Sequence, residues 1–146
     1  MMNVTFLDFN VSDLYNLKYA VVCARYKNKW IFCKHKERTT WEIPGGHHEI
    51  NETIEDTANR ELREETGAKV FTIRPVSVYC VESDGNKTYG ALYFAEVFEL
   101  DSIPSESEIE MIALYDALPR DLTYPHIQPY LFEFVENECL SINQTH

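Results

Sequence analysis

The part of this chain that most constrains its fold covers residues 44–68 and reads PGGHHEINETIEDTANRELREETGA. It opens with Pro-Gly-Gly, which predicts a tight loop where a backbone without side chains can approach a ligand closely. Residues 53–66 contain neither glycine nor proline, so they predict a helix that ends at Gly67. A glycine loop is therefore expected to lead directly into a charged helix.

Three carboxylates lie beside the apolar face of this predicted helix. Ile54 and Leu62 belong to a stripe at four-residue spacing, which predicts a face turned to the core. At about 100° per residue, Glu61 and Glu65 fall about 20° either side of Ile54. Glu64 falls about 80° away, on one flank. The three side chains are therefore expected to converge near the core.

Such a cluster is unfavourable unless a positive group offsets it. Glu61 and Glu65 repel each other at i, i+4, and partial burial penalises their ionised forms. They also lie near the C-terminus of the helix, which is the unfavourable end for anions. Arg60 and Arg63 are candidate partners, but Arg63 projects about 180° from Ile54. A hard divalent cation explains the cluster better, and a solvated acidic helix face is the alternative.

The same residues resemble the Nudix box, Gly-x5-Glu-x7-Arg-Glu-U-x-Glu-Glu-x-Gly-U, in which U is a bulky aliphatic residue. The fixed positions are filled by Gly46, Glu52, Arg60, Glu61, Leu62, Glu64, Glu65 and Gly67. Ala68 is small for the last aliphatic position, and Asn51 stands where relatives often carry glycine, although asparagine tolerates a left-handed backbone. The clear resemblance covers about residues 17–68. It implies an α/β fold, the Nudix-type α/β/α sandwich with a mixed β-sheet.

The resemblance also implies a role for each residue of the box. The expected metal ligands are the carbonyl of Gly45 and the carboxylates of Glu61, Glu64 and Glu65. Arg60 is expected to orient these glutamates by hydrogen bonding, and Glu52 to brace the loop against the helix. Gly46 and Gly67 are expected to be structural. The expected metal is Mg²⁺, with Mn²⁺ as a substitute.

The implied reaction is attack of water on phosphorus in a phosphoanhydride bond, assisted by the metal. The expected substrate is a nucleoside triphosphate, oxidised ones included, cleaved to monophosphate and pyrophosphate as in MutT-like members. Dinucleoside polyphosphates and nucleotide sugars are alternatives. ADP-ribose is disfavoured, because residues 81–84 lack the proline that some ADP-ribose hydrolases carry after the box. A non-catalytic nucleotide-sensing module is the alternative of another class, disfavoured because the box glutamates are present.

Residues outside the box supply further candidates. The general base is expected to be a box glutamate or one of a later loop, where the sequence offers Glu106, Glu108 and Glu110; Glu108 is our choice. Lys36 and Arg38 belong to a basic run that is expected to meet substrate phosphates, with a solvated strand end as the alternative. Trp41 is a candidate for stacking on a base, although packing at the sheet edge is the favoured interpretation.

The remaining chain predicts strands around two helices. Strands are expected over residues 17–26 and 30–35 with a turn between them, and a long hairpin over 69–82 and 87–98. Residues 104–110 predict a polar loop or short helix, and residues 125–138 a closing amphipathic helix. The aromatic residues of this last region, Tyr124, Tyr130, Phe132 and Phe134, are expected in the core and at its rim rather than in a base pocket. Strands interleaved with two helices predict a mixed sheet between helices.

Composition limits the partners. The 146 residues suit a single domain over 1–146, and the net charge of −11 argues against nucleic acid polymers and anionic membranes. A small anionic substrate is still compatible, because a metal supplies positive charge locally. The four cysteines fit no zinc spacing and predict reduced thiols. With no signal peptide and no long apolar run, we expect a cytoplasmic protein; a homodimer is left open by the resemblance.

Overall fold

The computed structural model describes residues 2–140, which form one mixed β-sheet and two α-helices. The strands are β1 (Met2–Leu7), β2 (Leu17–Tyr26), β3 (Lys29–His35), β4 (Gly45–His47), β5 (Ala68–Ser83), β6 (Asn86–Leu100) and β7 (Ile109–Tyr115). The helices are α1 (Ile54–Thr66) and α2 (Gln128–Val135). A 3₁₀ helix spans Phe9–Leu14, and a π-helical turn spans Glu136–Leu140.

The sheet order is β1-β5-β6-β2-β3-β7, and β4 pairs with β2 beside this path. β2 and β6 run parallel, whereas the other neighbouring pairs are antiparallel. The β5–β6 hairpin turns at Asp84 and Gly85, whose φ angles are 53° and 83°. Positive φ at both central residues is what a tight hairpin turn of the favoured twist requires.

Each face of the sheet is covered by one helix. Successive side chains of a strand point to opposite faces, and the buried residues of β2 divide in this way. On one face, Ala20, Val22 and Ala24 share a core with Ala58 and Leu62 of α1. On the other, Val21 and Cys23 share a core with Leu131, Phe132 and Val135 of α2. These two cores confirm the predicted α/β/α sandwich with a mixed sheet.

Helix α1 ends where the sequence predicts and begins one residue later than predicted, at Ile54. Thr53 is the N-cap: its hydroxyl accepts a hydrogen bond from the backbone N–H of Asp56, whose carboxylate accepts from the N–H of Thr53. This reciprocal pair is a capping box. At the other end Gly67 adopts φ 79°, and its N–H donates to the carbonyl of Arg63. A Cβ at Gly67 would also overlap the carbonyl oxygen of Asp101. Glycine is therefore required there for two reasons, the positive φ and the lack of space.

The β2–β3 hairpin opens into a fork that places the glycine loop. Beside the turn, β2 and β3 pair through Arg25 with Trp30 and Tyr26 with Lys29. Further from the turn β2 pairs with β4, and β3 bridges from Cys33 to Glu42. Residues 41–47 thus fill the fork. These residues place the Gly45–Gly46 backbone on the face of the sheet that α1 covers.

Three predicted boundaries need correction. Residues 104–110 are a loop only as far as Glu108, because β7 begins at Ile109 as an edge strand on β3. The closing helix is shorter than 125–138, since residues 125–127 form a turn in which the N–H groups of Ile127 and Gln128 both donate to the carbonyl of Tyr124. After Val135 the chain continues as the π-helical turn. β1 and β4 were not predicted.

Two further findings concern the expected thiols and membrane spans. All four cysteines, at positions 23, 33, 80 and 139, are free and buried, as expected of reduced thiols. Among residues 2–140, neither helix has the length and apolar character needed to cross a membrane.

Candidate active site

A cavity of about 610 Å³ opens where the fork, α1 and the start of α2 meet. Its lining contains five carboxylates, those of Glu42, Glu49, Glu61, Glu65 and Glu108. It also contains apolar and aromatic side chains, among them Tyr19, Val21, Tyr79, Val81, Tyr124, Ile127 and Leu131. A mostly apolar pocket of this size with a few converging polar groups has the character of a small-molecule site.

Glu65 is the most deeply placed carboxylate of α1. Only 9% of the residue is exposed, and its Oε1 accepts a hydrogen bond of 2.8 Å from the N–H of Gly45. Burial raises the pKa of Glu65 to about 8; the Gly45 N–H opposes this rise, whereas the charge of Glu61 adds to it. The α1 carboxylates therefore repel each other at the cavity wall, as the sequence predicts.

Glu61 lies directly against the second glycine of the loop. A Cβ on Gly46 would overlap the carboxyl group of Glu61, so only glycine leaves room for it there. Burial raises the pKa of Glu61, and the hydrogen bond from Arg60 opposes that rise. Gly45 is equally confined, since a Cβ on it would overlap the carbonyl oxygen of Ala20. Both glycines let the backbone and the carboxylates share one narrow space.

Arg60 connects the loop to the glutamates. Its Nε and Nη2 donate to the two oxygens of Glu52 at 2.7 and 3.0 Å, and Nη2 also donates to the carbonyl of His47 at 3.1 Å. Its Nη1 donates to Glu61 at 2.7 Å and to Glu64 at 3.4 Å. The paired guanidinium lowers the pKa of Glu52 to about 2, and its carboxylate partners raise the pKa of Arg60.

The three carboxylates expected to bind the metal differ in how close they lie to the cavity. Glu61 and Glu65 line the cavity, whereas Glu64 lies on its flank with 51% of its side chain exposed. Within residues 2–140, no three His, Cys, Asp or Glu side chains are arranged as a metal cluster. Arg60 and the Gly45 N–H donate hydrogen bonds to oxygens of Glu61 and Glu65. The donors are nevertheless all oxygen, as hard divalent cations prefer.

Sequence reasoning missed a second polar network at the cavity. His35 Nε2 lies 3.3 Å from Glu42 Oε1 and 3.9 Å from Glu65 Oε2. The other Glu42 oxygen pairs with Arg38 at 2.6 Å, and Glu42 is only 7% exposed. The only sequence signal for this network was that Glu42 lies beside the glycine loop. Its partners His35 and Arg38 precede the loop and carry no pattern that would link them to it.

The three glutamates considered as the general base, Glu106, Glu108 and Glu110, lie in different places. Glu108 borders the cavity with 85% of its side chain exposed, and its Oε2 lies 3.9 Å from His35 Nδ1. Glu110 is instead paired with Lys34, and Glu106 contacts Ser105. Glu108 is thus the one of these three that lines the cavity.

The expected substrate contacts also lie in different places. Arg38 lines the cavity, and its guanidinium lies 5.9 Å from the centre of the Tyr124 ring. Lys36 lines a smaller recess of about 390 Å³ together with Glu108. Trp41 packs edge-on against Tyr115, at 5.8 Å between ring centres, in the core under α2. That position corresponds to the packing alternative for Trp41.

The aromatic residues of the C-terminal region mostly follow the expectation of core and rim. Phe132 is buried, Phe134 stacks on Phe6 at 4.1 Å, and Tyr130 is exposed. Tyr124 differs, because it lines the cavity. Gln128, at the start of α2, lines it too and was not singled out from the sequence.

Comparison with known proteins defines the class of this fold and site. The sequence matches the NUDIX domain over residues 10–132. The chain therefore belongs to the Nudix family. The match extends well past residues 17–68, to which the clear resemblance was confined.

Particular relatives are similar over much of the chain. A Bacillus subtilis (strain 168) protein named "Putative 8-oxo-dGTP diphosphatase YtkD" is 32% identical over 106 residues, covering 73% of this chain and 66% of the relative. A MutT-like protein of Streptomyces ambofaciens is 35% identical over 66 residues, covering 45% and 43%. The chain thus spans less than two thirds of either relative. The crystal structure of the Bacillus subtilis pyrophosphohydrolase BsRppH superposes with a TM-score of 0.76 at 25% identity, covering 94% of this chain and 91% of that one.

Proposed function

We propose that this chain is a Mg²⁺-dependent nucleotide pyrophosphohydrolase that cleaves nucleoside triphosphates, oxidised ones such as 8-oxo-dGTP included, to monophosphate and pyrophosphate. The observation that carries the proposal is the pair of carboxylates of the buried Glu65 and the partly buried Glu61 against the Gly45–Gly46 backbone, on the wall of a nucleotide-sized cavity. The names of the relatives, a diphosphatase and a pyrophosphohydrolase, support the same reaction.

Nudix hydrolases generally use divalent metals, and the donor set of this chain fits one. Glu61, Glu64 and Glu65, with the carbonyl of Gly45, would hold the ion. Burial raises the pKa of Glu61 and of Glu65, so their ionised forms are disfavoured there, and a bound cation would stabilise them. When bound, the ion supplies positive charge that neutralises the phosphates and acidifies the attacking water.

The residues of the chain have separable tasks in this proposal. Arg60 holds Glu61 and Glu64 by hydrogen bonds and is itself held by Glu52, so the glutamates are oriented before substrate binds. Arg38 contributes positive charge at the cavity, where it can meet a phosphate. Glu108 is our candidate for accepting the proton of the attacking water, because it is exposed at the cavity rim.

The test is product analysis on a nucleotide panel. Purified protein is incubated with dGTP, 8-oxo-dGTP, ATP, a dinucleoside tetraphosphate, a UDP-sugar and ADP-ribose, each with Mg²⁺, with Mn²⁺ or with excess EDTA. We expect pyrophosphate and monophosphate from the triphosphates with either metal, and no turnover in EDTA. Full turnover in EDTA would refute the metal dependence. Binding of nucleotides without any hydrolysis would instead identify the sensing module.

A further inference from the structure

The hydroxyl of Ser107 joins helix α1 to the loop before β7. Its Oγ donates a hydrogen bond of 2.8 Å to the backbone carbonyl of Glu64. The last carbonyls of a helix have no partner within the helix, and the N–H of Ala68, at the i+4 position from Glu64, donates instead to the hydroxyl of Thr66. Ser107 therefore satisfies an acceptor at the C-terminal end of α1.

The same hydroxyl fixes the chain on the other side of Glu108. Ser107 Oγ accepts a hydrogen bond of 3.1 Å from the backbone N–H of Ile109, which is the first residue of β7. A serine hydroxyl is one donor and also has acceptor lone pairs, so it can make both bonds at once. Both residues next to Glu108 are thus tied to α1 through a single oxygen atom.

Strand β3 holds Glu108 from a second direction. The carbonyl of Glu108 accepts a hydrogen bond of 2.9 Å from the backbone N–H of Lys36, and Ile109 pairs with His35 at the end of β3. The side chain of Glu108 is 85% exposed, and its Oε2 lies 3.9 Å from His35 Nδ1, which is longer than a hydrogen bond. The backbone attachments therefore determine where on the cavity rim Glu108 lies.

We propose that Ser107 is a positioning residue, which holds the general base Glu108 at a fixed separation from the carboxylates of α1. This inference rests on the proposed function and deepens it. In the proposed reaction the water oxygen bonds to phosphorus, and the phosphoanhydride bond breaks with its electron pair on pyrophosphate. One proton of the water passes to Glu108.

That proton transfer requires a constant distance between two parts of the chain. A general base must lie within hydrogen-bond reach of the water that it deprotonates. The water is expected beside Glu61 and Glu65 of α1, whereas Glu108 precedes β7. The bond from Ser107 to the Glu64 carbonyl links these two parts directly, and small misplacements of a catalytic group lower the rate strongly.

The first test compares two serine hydroxyls of the same loop. Ser107→Ala removes the bond to α1 and should lower kcat for the fastest-cleaved triphosphate by about tenfold, while KM changes by less than about twofold. Ser107→Thr keeps a hydroxyl and should restore most of the lost turnover. Ser105→Ala is the matched control, because the hydroxyl of Ser105 contacts Glu106 on the exposed part of the loop, and it should keep the kcat of the parent.

A double-mutant cycle separates positioning from a general structural role. Glu108→Gln should lower kcat by about 100-fold or more, which single-turnover measurements with enzyme in excess still resolve. If Ser107 acts through Glu108, then adding Ser107→Ala to Glu108→Gln should cause no further loss. An equal loss in both backgrounds would show that Ser107 only stabilises the fold, and would overturn the inference.

Hydrogen exchange gives a readout that needs no turnover. The amide of Ile109 loses its acceptor in Ser107→Ala, so it should exchange at least about tenfold faster than in the parent, whereas Ser107→Thr should keep it protected. Unchanged exchange in Ser107→Ala would show that Ser107 does not hold the segment around Glu108, and would overturn the inference.

The remaining outcomes distinguish this inference from the proposed function. A smaller rise of melting temperature with Mg²⁺ in Ser107→Ala than in the parent would place the effect at Glu64 and overturn the role assigned through Glu108. Parental kcat in Ser107→Ala or in Glu108→Gln would overturn the inference and leave Mg²⁺-dependent turnover, and with it the proposed function, in place. A parent that cleaves no triphosphate would contradict both.

Discussion

At the scale of the single residue, Gly46 is where the loop backbone comes closest to a carboxylate of α1. We expect Gly46→Ala to lower turnover by at least about tenfold, because the new methyl group would displace the carboxyl group of Glu61. Steady-state kinetics measures the effect. Gly85→Ala is the control: φ there is 83° with open space around it, so it should cost about 1 kcal/mol of stability and leave turnover unchanged. A fully active Gly46→Ala enzyme would contradict the assigned contact.

The Glu52–Arg60 pair makes a prediction about acid stability. The folded protein lowers the pKa of Glu52 from 4.5 to about 2, so the unfolded chain binds more protons between these values. The stabilisation is therefore present above pH 4.5 and is lost as the pH falls towards 2. Glu52→Gln should lower the melting temperature at pH 7, and the difference from the parent should shrink steadily below pH 4.5. A difference that does not depend on pH would show that the charge of Glu52 is irrelevant.

At the scale of the element, local signals predicted α1 and β2 well. The run without glycine or proline, the stripe of Ile54 and Leu62 and the stop at Gly67 all lie within the helix or next to it. β2 could be predicted because both of its faces are buried, which leaves an uninterrupted apolar sequence. β7 was missed because its sequence, IEMIALY, and its mixed exposure lack the alternation of apolar and polar residues that a half-buried antiparallel strand commonly shows.

Some of the site residues could likewise be predicted from local sequence, and others could not. The box could be identified from one continuous stretch, because α1 and the glycine loop are consecutive in the chain. The contact of Ile43 with Gln128 joins residues 85 positions apart, and His35 meets Glu42 through the fork between β2 and β3. Neither contact has a local sequence signature. The first depends on where α2 packs and the second on how the chain pairs with β3, and a single sequence specifies neither.

At the scale of the whole molecule, the negative charge of the chain opposes binding of the proposed substrate, because nucleotides are anions as well. The chain carries a net charge of −11, and five carboxylates line the cavity. A divalent cation resolves the conflict, since it is attracted by the carboxylates and in turn attracts phosphates. This is why metal binding, rather than a basic surface, is expected to govern both affinity and turnover.

The Mg²⁺ response of Glu65→Gln tests this role of the carboxylates. Glutamine keeps an oxygen for the N–H of Gly45 and removes a charge that burial disfavours, since the pKa of Glu65 is raised to about 8. The variant should therefore be at least as stable as the parent in EDTA at pH 8. It should lose about 100-fold or more in turnover, and Mg²⁺ should raise its melting temperature less than that of the parent.

Leu62→Ala, on the buried face of the same helix, is the contrasting variant for this measurement. It should lose about 2–5 kcal/mol of stability while its remaining folded fraction keeps the Mg²⁺ requirement. The measurement is turnover and thermal unfolding of parent and both variants, with and without Mg²⁺. We predict that Glu65→Gln separates catalysis from stability in this way. A Glu65→Gln enzyme with the turnover and Mg²⁺ response of the parent would contradict the assignment of Glu65 as a metal ligand.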